Sequence, residues 1–513
     1  MSSERNDPGD EPGQAPGVAS SGAASSGAAS SEAWFDVEAF RRHGHALVDW
    51  VADYWAGLEA RPVQPDVEPG AVRAALPPSP PERPEAFEDV LADLEGLIAP
   101  AVTHWQHPGF FAYFPANASG PSVLGELASA GLGVQGMSWA TSPAATELET
   151  LTLDWFAELL GLPERFRSDT GPGGGVIQDS ASSGTLCALL AARERVTGGA
   201  VRAGGVDRAF AVYASEHAHS SVDKAVRIAG LGEASLRTLP TDAEHRLDPA
   251  ALADALAADR AAGVTPCMVV ATVGTTSSGA IDPVPAIADV LARDAEAGTR
   301  VWLHVDAAWA GVAAVAPEHR DAVAGADEAD SWATNPHKWL LTSFDCDAFW
   351  VADRGPLLEA LSVLPEYLRN PATDAGAVID YRDWQVPLGR RFRALKLWFV
   401  LRAYGAEGLR DHIRRHVAWA GALADRVVGD GNLALAAPPS LGLVCLRHRD
   451  GDAATQRVLD EVNATGEFFL THTRLDGALV ARVAVGGVRT ERRHVLALAE
   501  ALRAAATRAE EAR

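Results

Sequence analysis

"SWATNPHKWLLTSFDCDAFW", residues 331–350, is two apolar runs joined by a polar knot, and Lys338 sits in the knot. Lysine is rarely buried without a partner, because taking an ammonium out of water is costly. A lone lysine at the mouth of a core strand therefore needs a chemical reason. Upstream the rhythm repeats. Short Val/Ile-rich runs at 176–177, 209–213, 267–273, 301–305 and 348–351 alternate with Ala/Leu-rich helical stretches such as "LCALLAARERV". This βα alternation predicts an α/β fold, with a mostly parallel sheet covered by helices on both faces.

The 513 residues are enough for two or three domains, and 47% hydrophobic with 22% charged is a globular balance. Lys plus Arg number 44 and Asp plus Glu 68, so the net charge is 44 − 68 = −24. With no basic run, this argues against nucleic acid or anionic membrane as a partner. No apolar stretch approaches the roughly 20 residues that span a bilayer. Cys187, Cys267, Cys346 and Cys445 are far apart in apolar segments, which reads as small buried hydrophobes in a reducing, cytoplasmic setting. Residues 1–33, with "ASSGAASSGAASSEA", read as a disordered tail and not a signal peptide.

Phe40, Leu47, Val51, Trp55 and Leu58 recur on one face of a predicted helix between 34 and 60. Such a face packs on something, a second subunit among the options. The Pro-rich "LPPSPPERPE" follows, and 85–100 is helical again. Between 142 and 162, Ser142 caps a helix, Pro143 takes its first position, and Gly161 with Pro163 closes it. Beyond 416, a helix, two strand-like runs near 467–475 and 478–485, and a last helix from about 492 fit a small α+β domain.

Open α/β sheets bind ligands at the carboxyl ends of strands. After "GGGVIQDS" come Ala181, Ser182, Ser183 and Gly184 at a helix start, which is either an anion site or an ordinary N-cap. "MVVATVGTT" ends in Thr275 and Thr276, and "VWLHVD" ends in Asp306. Lys338 lies 32 residues after Asp306. A lysine in a dry pocket loses proton affinity and becomes a nucleophile toward aldehydes. An anion site, a carboxylate to hold a pyridine nitrogen charged, and such a lysine are what a pyridoxal phosphate enzyme requires. His219 in "EHAHSS" fits stacking over a cofactor ring, or holding a substrate carboxylate, better than zinc. Tyr367 enters a Pro/Asn/Gly-rich loop. "LGRRFRALKLWFV" opens a helix with cations against its dipole, so Arg390 or Arg391 needs another partner.

Together these segments resemble the group II pyridoxal-phosphate decarboxylases, in the aromatic-L-amino-acid decarboxylase family. The carriers are "RRHGHALVDWVADY", "HPGFFAYFPAN", "SWATSPAATELE", "AHSSVDKA", "ATVGTTSSGAID", "WLHVDAAWAG", "NPHKWLL" and "DYRDWQVPLGRRFRALKLWFV", in family order from about residue 34 onward. The resemblance implies a fold type I, aspartate-aminotransferase-like architecture and a homodimer with sites at the interface. It divides the chain into a helical dimerisation segment at 34–119, a large cofactor-binding domain at 120–395 and a small domain at 396–513. It further implies that Lys338 binds the cofactor aldehyde and that Asp306 pairs with the ring nitrogen. Ala181, Ser182, Asn335 and His337 surround the phosphate, Thr276 flanks the ring, and His219 stacks on it. Tyr367 protonates the carbanion left by carbon dioxide; similar aldehyde synthases carry Phe there.

For the substrate, the resemblance implies contacts from Trp105, Tyr113, Ala116, Gln135, Met137 and Gly389. Ala116 stands where animal members have Thr, Gln135 and Met137 where they have Ile and Phe, and Gly389 looks like members that take bulky indoles or catechols. This favours tryptophan, with phenylalanine, tyrosine or dopa as others. Rival readings are a decarboxylase of a non-aromatic acid, an aldehyde synthase, a nucleotide binder using the 173–190 turn, and a silent scaffold.

Overall fold

The computed structural model describes residues 36–363, 378–429 and 431–511. Among the described residues five α-helices precede the first strand, α1 (Val37–Gly57), α2 (Ala71–Ala75), α3 (Phe87–Asp93), α4 (Gly120–Leu132) and α5 (Pro143–Leu160), and α6 (Ala181–Thr197) follows it. α5 begins and ends as its residues dictate. Ser142 is extended and its side chain accepts from Ala145 N, Pro143 follows, and Gly161 closes the helix in the left-handed conformation.

Seven strands form the main sheet: β1 (Gly174–Gln178), β2 (Phe210–Ser215), β3 (Leu236–Leu239), β4 (Thr265–Thr272), β5 (Trp302–Asp306), β6 (Ser331–Thr334) and β7 (Asp347–Val351). Their order is β1-β7-β6-β5-β4-β2-β3. β3, β2, β4, β5 and β6 run parallel, while β7 is antiparallel to both β6 and β1. The expected alternation marks β1, β2, β4, β5 and β7; β6 lies in the first apolar run of the opening stretch, outside the Val/Ile-rich runs, and β3 is missed. That strand pairs only with β2, and its "LRTL" is half exposed, so it lacks the apolar run that marks the buried strands.

The other six strands are buried because both of their faces are covered. On β4, Val269 and Ala271 join one core with α5 and the helix Val284–Asp294, while Met268 and Val270 join another with α6. This layering leaves the carboxyl edge of the parallel strands as the place where polar side chains converge.

The helix Ala394–Val428 bends at Gly405 (φ 63°, ψ 171°). Its residues up to Ile413 belong to the sheet's core, and those from Ala420 onward to a second core. Around that second core lie β8 (Leu433–Leu435), β9 (Leu443–His448), β10 (Thr471–Leu475) and β11 (Ala478–Ala484), one antiparallel sheet, with the helix Arg492–Glu511, while Leu475 of β10 packs into the main sheet's core. Phe111 is threaded into this small unit: its N–H donates to Phe469 O, and its carbonyl accepts from Ala484 N. The N-terminal segment thus ties the two units together beside the site. All four cysteines are buried and free.

Candidate active site

A cavity of about 190 Å³ opens at the carboxyl edge of the parallel strands. Its walls include Ser180, Ala181 and Ser182 after β1, His219 after β2, and Thr272, Gly274 and Thr276 at the end of β4. Asp306 and Ala308 come from the end of β5, and Asn335, His337 and Lys338 follow β6. All eight residues expected to hold the cofactor therefore line one space. Phe114, Trp309 and Phe344 complete the wall.

Each side chain is aimed by its local backbone. Ser180 caps α6, its side chain accepting from Ser183 N, so the first turn of α6 points its N–H groups at the cavity with the positive end of the helix dipole. Asp306 ends β5 at 4% exposure, and its Oδ1 accepts from Ala308 N at 3.1 Å. Lys338 lies in the single helical turn Pro336–Trp339, which Asn335 initiates. Asn117 fixes that turn: its N–H donates to His337 O at 3.0 Å and its Nδ2 to Lys338 O at 2.5 Å. Trp339 anchors the far end, Nε1 donating to His416 Nδ1 at 2.9 Å. Gly274 needs to be glycine, since its φ is +86° and a Cβ would lie 2.5 Å from the Ala310 methyl.

Burial lowers the proton affinity of Lys338. The charge of Arg482 works in the same direction, while Asp306 opposes it. The Lys338 nitrogen sits 5.7 Å from the centre of the Phe114 ring, and the Arg482 guanidinium 5.1 Å from the same ring. Phe114 stacks on Trp309 at 4.3 Å, and Trp309 on Trp339 at 5.2 Å, so one side of the site is a continuous aromatic wall. His337 Nδ1 accepts from Cys346 N at 3.0 Å, which leaves the proton of the neutral ring on Nε2. Burial holds its pKa down at about 3. His219 is arranged alike, Nδ1 accepting from Ser221 N at 3.1 Å, and burial also lowers its pKa. Neutral histidines here donate without adding charge.

The residues expected to contact substrate lie off this cavity. Trp105 and Tyr113 stack on each other at 5.6 Å and are 38% and 49% exposed. Ala116 O accepts from Gln106 Nε2, and Met137 O from Arg382 N. Gln135 Oε1 accepts from Arg390 N at 2.5 Å, and a Cβ on Gly389 would lie 3.4 Å from Gln135 Nε2. Tyr367 lies outside the described residues. Phe114, Asn117, Trp309 and Arg482 were not singled out from sequence. Phe114 and Asn117 both lie within the quoted "HPGFFAYFPAN", and Trp309 lies in "WLHVDAAWAG".

Residues 69–449 match the model of the pyridoxal-dependent decarboxylase conserved domain. The chain belongs to the pyridoxal-dependent decarboxylase family. Tryptophan decarboxylase 2 of Oryza sativa subsp. japonica is 44% identical over 491 residues, covering 93% of this chain and 97% of the rice protein. Phenylacetaldehyde synthase of Arabidopsis thaliana is 45% identical over 471 residues, covering 90% and 94%. The crystal structure of Oryza sativa TDC with PLP and tryptamine superposes with a TM-score of 0.88 at 41% identity, covering 92% of this chain and 99% of that one. This decarboxylase therefore has the fold type I architecture and uses pyridoxal phosphate. The cavity fits that group: an amine of lowered proton affinity, a buried carboxylate and a helix N-terminus.

Proposed function

We propose that this enzyme decarboxylates an aromatic L-amino acid, tryptophan before phenylalanine, tyrosine or dopa, to the arylalkylamine and carbon dioxide. The observation that carries the reading is Lys338 and Asp306 in one cavity beside an aromatic wall, in a chain so similar to a tryptophan decarboxylase. Pyridoxal phosphate, when bound, supplies an electron sink for the pair released as the carboxylate leaves. The protein's share is binding and placement. Lys338 offers an amine whose proton affinity burial has lowered, and Asp306 the negative charge that would keep a pyridine nitrogen protonated. Ala181, Ser182, Asn335 and His337 hold the phosphate, and Thr276 flanks the ring. His219 would stack over that ring, and Tyr367 would return a proton to the carbon that the carboxylate leaves.

Release of carbon dioxide and amine from tryptophan, phenylalanine, tyrosine, dopa and histidine, with hydrogen peroxide assayed alongside, tests this. Tryptophan is expected to give the highest kcat/KM and no peroxide; carbon dioxide from none of the aromatic acids would overturn the reading. The similarity to phenylacetaldehyde synthase supports a second reading, an aldehyde-forming enzyme on the same scaffold. Tyr367→Phe separates them: loss of amine with appearance of peroxide and aldehyde is expected if Tyr367 is the proton donor.

The active form is proposed to be a homodimer in the cytoplasm. α1 has no buried residue, and Val37, Phe40, Leu47 and Val48 are exposed along it, as are Leu124, Leu127 and Leu132 on α4. Apolar surface on this scale supports a protein partner. A second copy also gives Trp105, Tyr113, Ala116, Gln135, Met137 and Gly389 a cavity to complete. Light scattering is expected to give twice the 53.9 kDa chain mass; a monomer that keeps full activity refutes it. Free buried thiols fit a reducing compartment. Among the described residues no helix is long and apolar enough to cross a membrane.

A further inference from the structure

Asp347 opens β7 with no exposed surface, and among the described residues neither of its carboxyl oxygens meets a donor. An ionised carboxylate left so is unfavourable enough that the group keeps its proton. Its position is built for it. A Cβ on Gly184, in the first turn of α6, would lie 3.0 Å from Asp347 Oδ2, so the carboxyl fills a notch that any larger residue at 184 would close.

The sheet register supplies a partner. Thr334 pairs with Ala348, and Asn335 remains extended (φ −98°, ψ 97°), so one further step sets Asn335 abreast of Asp347 with both side chains on one face. Asn335 Oδ1 is likewise buried without a donor. Two orphaned acceptors side by side are satisfied together when the carboxyl is protonated and donates to the amide oxygen. The amide nitrogen of Asn335 then turns to the cavity, which Asn335 lines.

We propose that Asp347 is a proton-carrying positioning residue: its O–H donates to Asn335 Oδ1 and aims the Asn335 amide N–H at the phosphate of the bound cofactor. This rests on the pyridoxal phosphate reading of the cavity. The charged groups around Asp347 are Asp306 from β5, Lys338 from the turn after β6, and Asp179 from the loop after β1. Burial, then Asp306 and Asp179, raise its pKa well above the ordinary carboxyl value, and Lys338 pulls the other way. When rising pH removes the proton, the donor is lost and a negative charge appears beneath an anion. Anion affinity then falls with pH in the wild type.

The test is affinity of the apoenzyme for pyridoxamine 5′-phosphate, which has the phosphate but no aldehyde for Lys338. It is measured from about pH 6.5 upward, above the second ionisation of the phosphate. Wild-type affinity is expected to fall about tenfold or more across the range, the scale of one hydrogen bond to a charged group. Asp347→Asn keeps a donor and is expected to stay within about twofold throughout, while Asp347→Ala binds about tenfold more weakly from the start. An Asp347→Asn profile that follows the wild type, or Asp347→Ala binding as tightly as the wild type, overturns the proposal. Pyridoxal phosphate added to the wild type keeps the two readings apart. A chain that stays colourless overturns the cofactor reading and this inference with it; a coloured wild type with an unchanged Asp347→Asn slope overturns the role of Asp347 alone.

Discussion

Lys338→Ala is expected to give a folded, colourless protein that releases no measurable carbon dioxide. Lys338 is the amine among the cavity's walls, and burial already disfavours its charged form. Removing it relieves that desolvation, so the apo variant should unfold at the wild-type temperature or above. Activity goes the other way. In its proposed role Lys338 is the covalent attachment point, so kcat should fall roughly 10³-fold or more. Borohydride treatment of the loaded wild type, followed by peptide mapping, is expected to place the pyridoxyl mass on Lys338. A coloured Lys338→Ala variant, or a mass on another lysine, would refute the assignment. Asp306 makes a companion case: alanine there should leave the colour but cost turnover, because nothing then holds the ring nitrogen charged.

Much of this site is readable without coordinates because its residues follow strands. Asp306 ends an apolar run, Thr276 follows another, and Lys338 comes one turn after a third; a parallel sheet gathers all such positions at one edge. Helix ends are readable for the same local reason, as Ser142, Pro143 and Gly161 show. What escapes reading is whatever tertiary packing assigns. Arg482 stands inside "LVARVAVGG", where alternation makes it look like a surface residue, yet it is 3% exposed because the Phe114 segment closes over β11. Asp347 sits between Cys346 and Ala348 in a buried strand, and only the neighbouring strand's register reveals its partner. β3 is invisible because an edge strand carries little apolar signal. The expected substrate contacts are hardest of all to read, since all six residues lie away from the cavity of their own chain.

Glu149→Ala is expected to destabilise the apoenzyme by about 3–5 kcal/mol, the cost of stranding a buried charge. The basic start "LGRR" demands a partner for Arg390, and the partner comes from α5, 241 residues away. Arg390 Nη1 and Nη2 donate to the two Glu149 oxygens at 3.0 and 2.6 Å, with the side chains 1% and 2% exposed. The rest of the guanidinium is satisfied too: Nη2 donates to Ile177 O at 2.9 Å and Nε to Gln385 Oε1 at 2.9 Å, while Tyr381 lies under it at 4.8 Å. Glu149 Oε1 also accepts from Ile177 N at 2.8 Å. This clamp grips β1 just before the Ser180 cap, so cofactor affinity should fall along with stability. Urea unfolding without cofactor gives the first number, and pyridoxal phosphate titration the second. Replacing both partners by apolar residues of similar volume should recover much of the stability, since no uncompensated charge remains. An unchanged urea midpoint for Glu149→Ala would mean that the ion pair is worth no more than its desolvation, and that β1 is held by apolar packing alone.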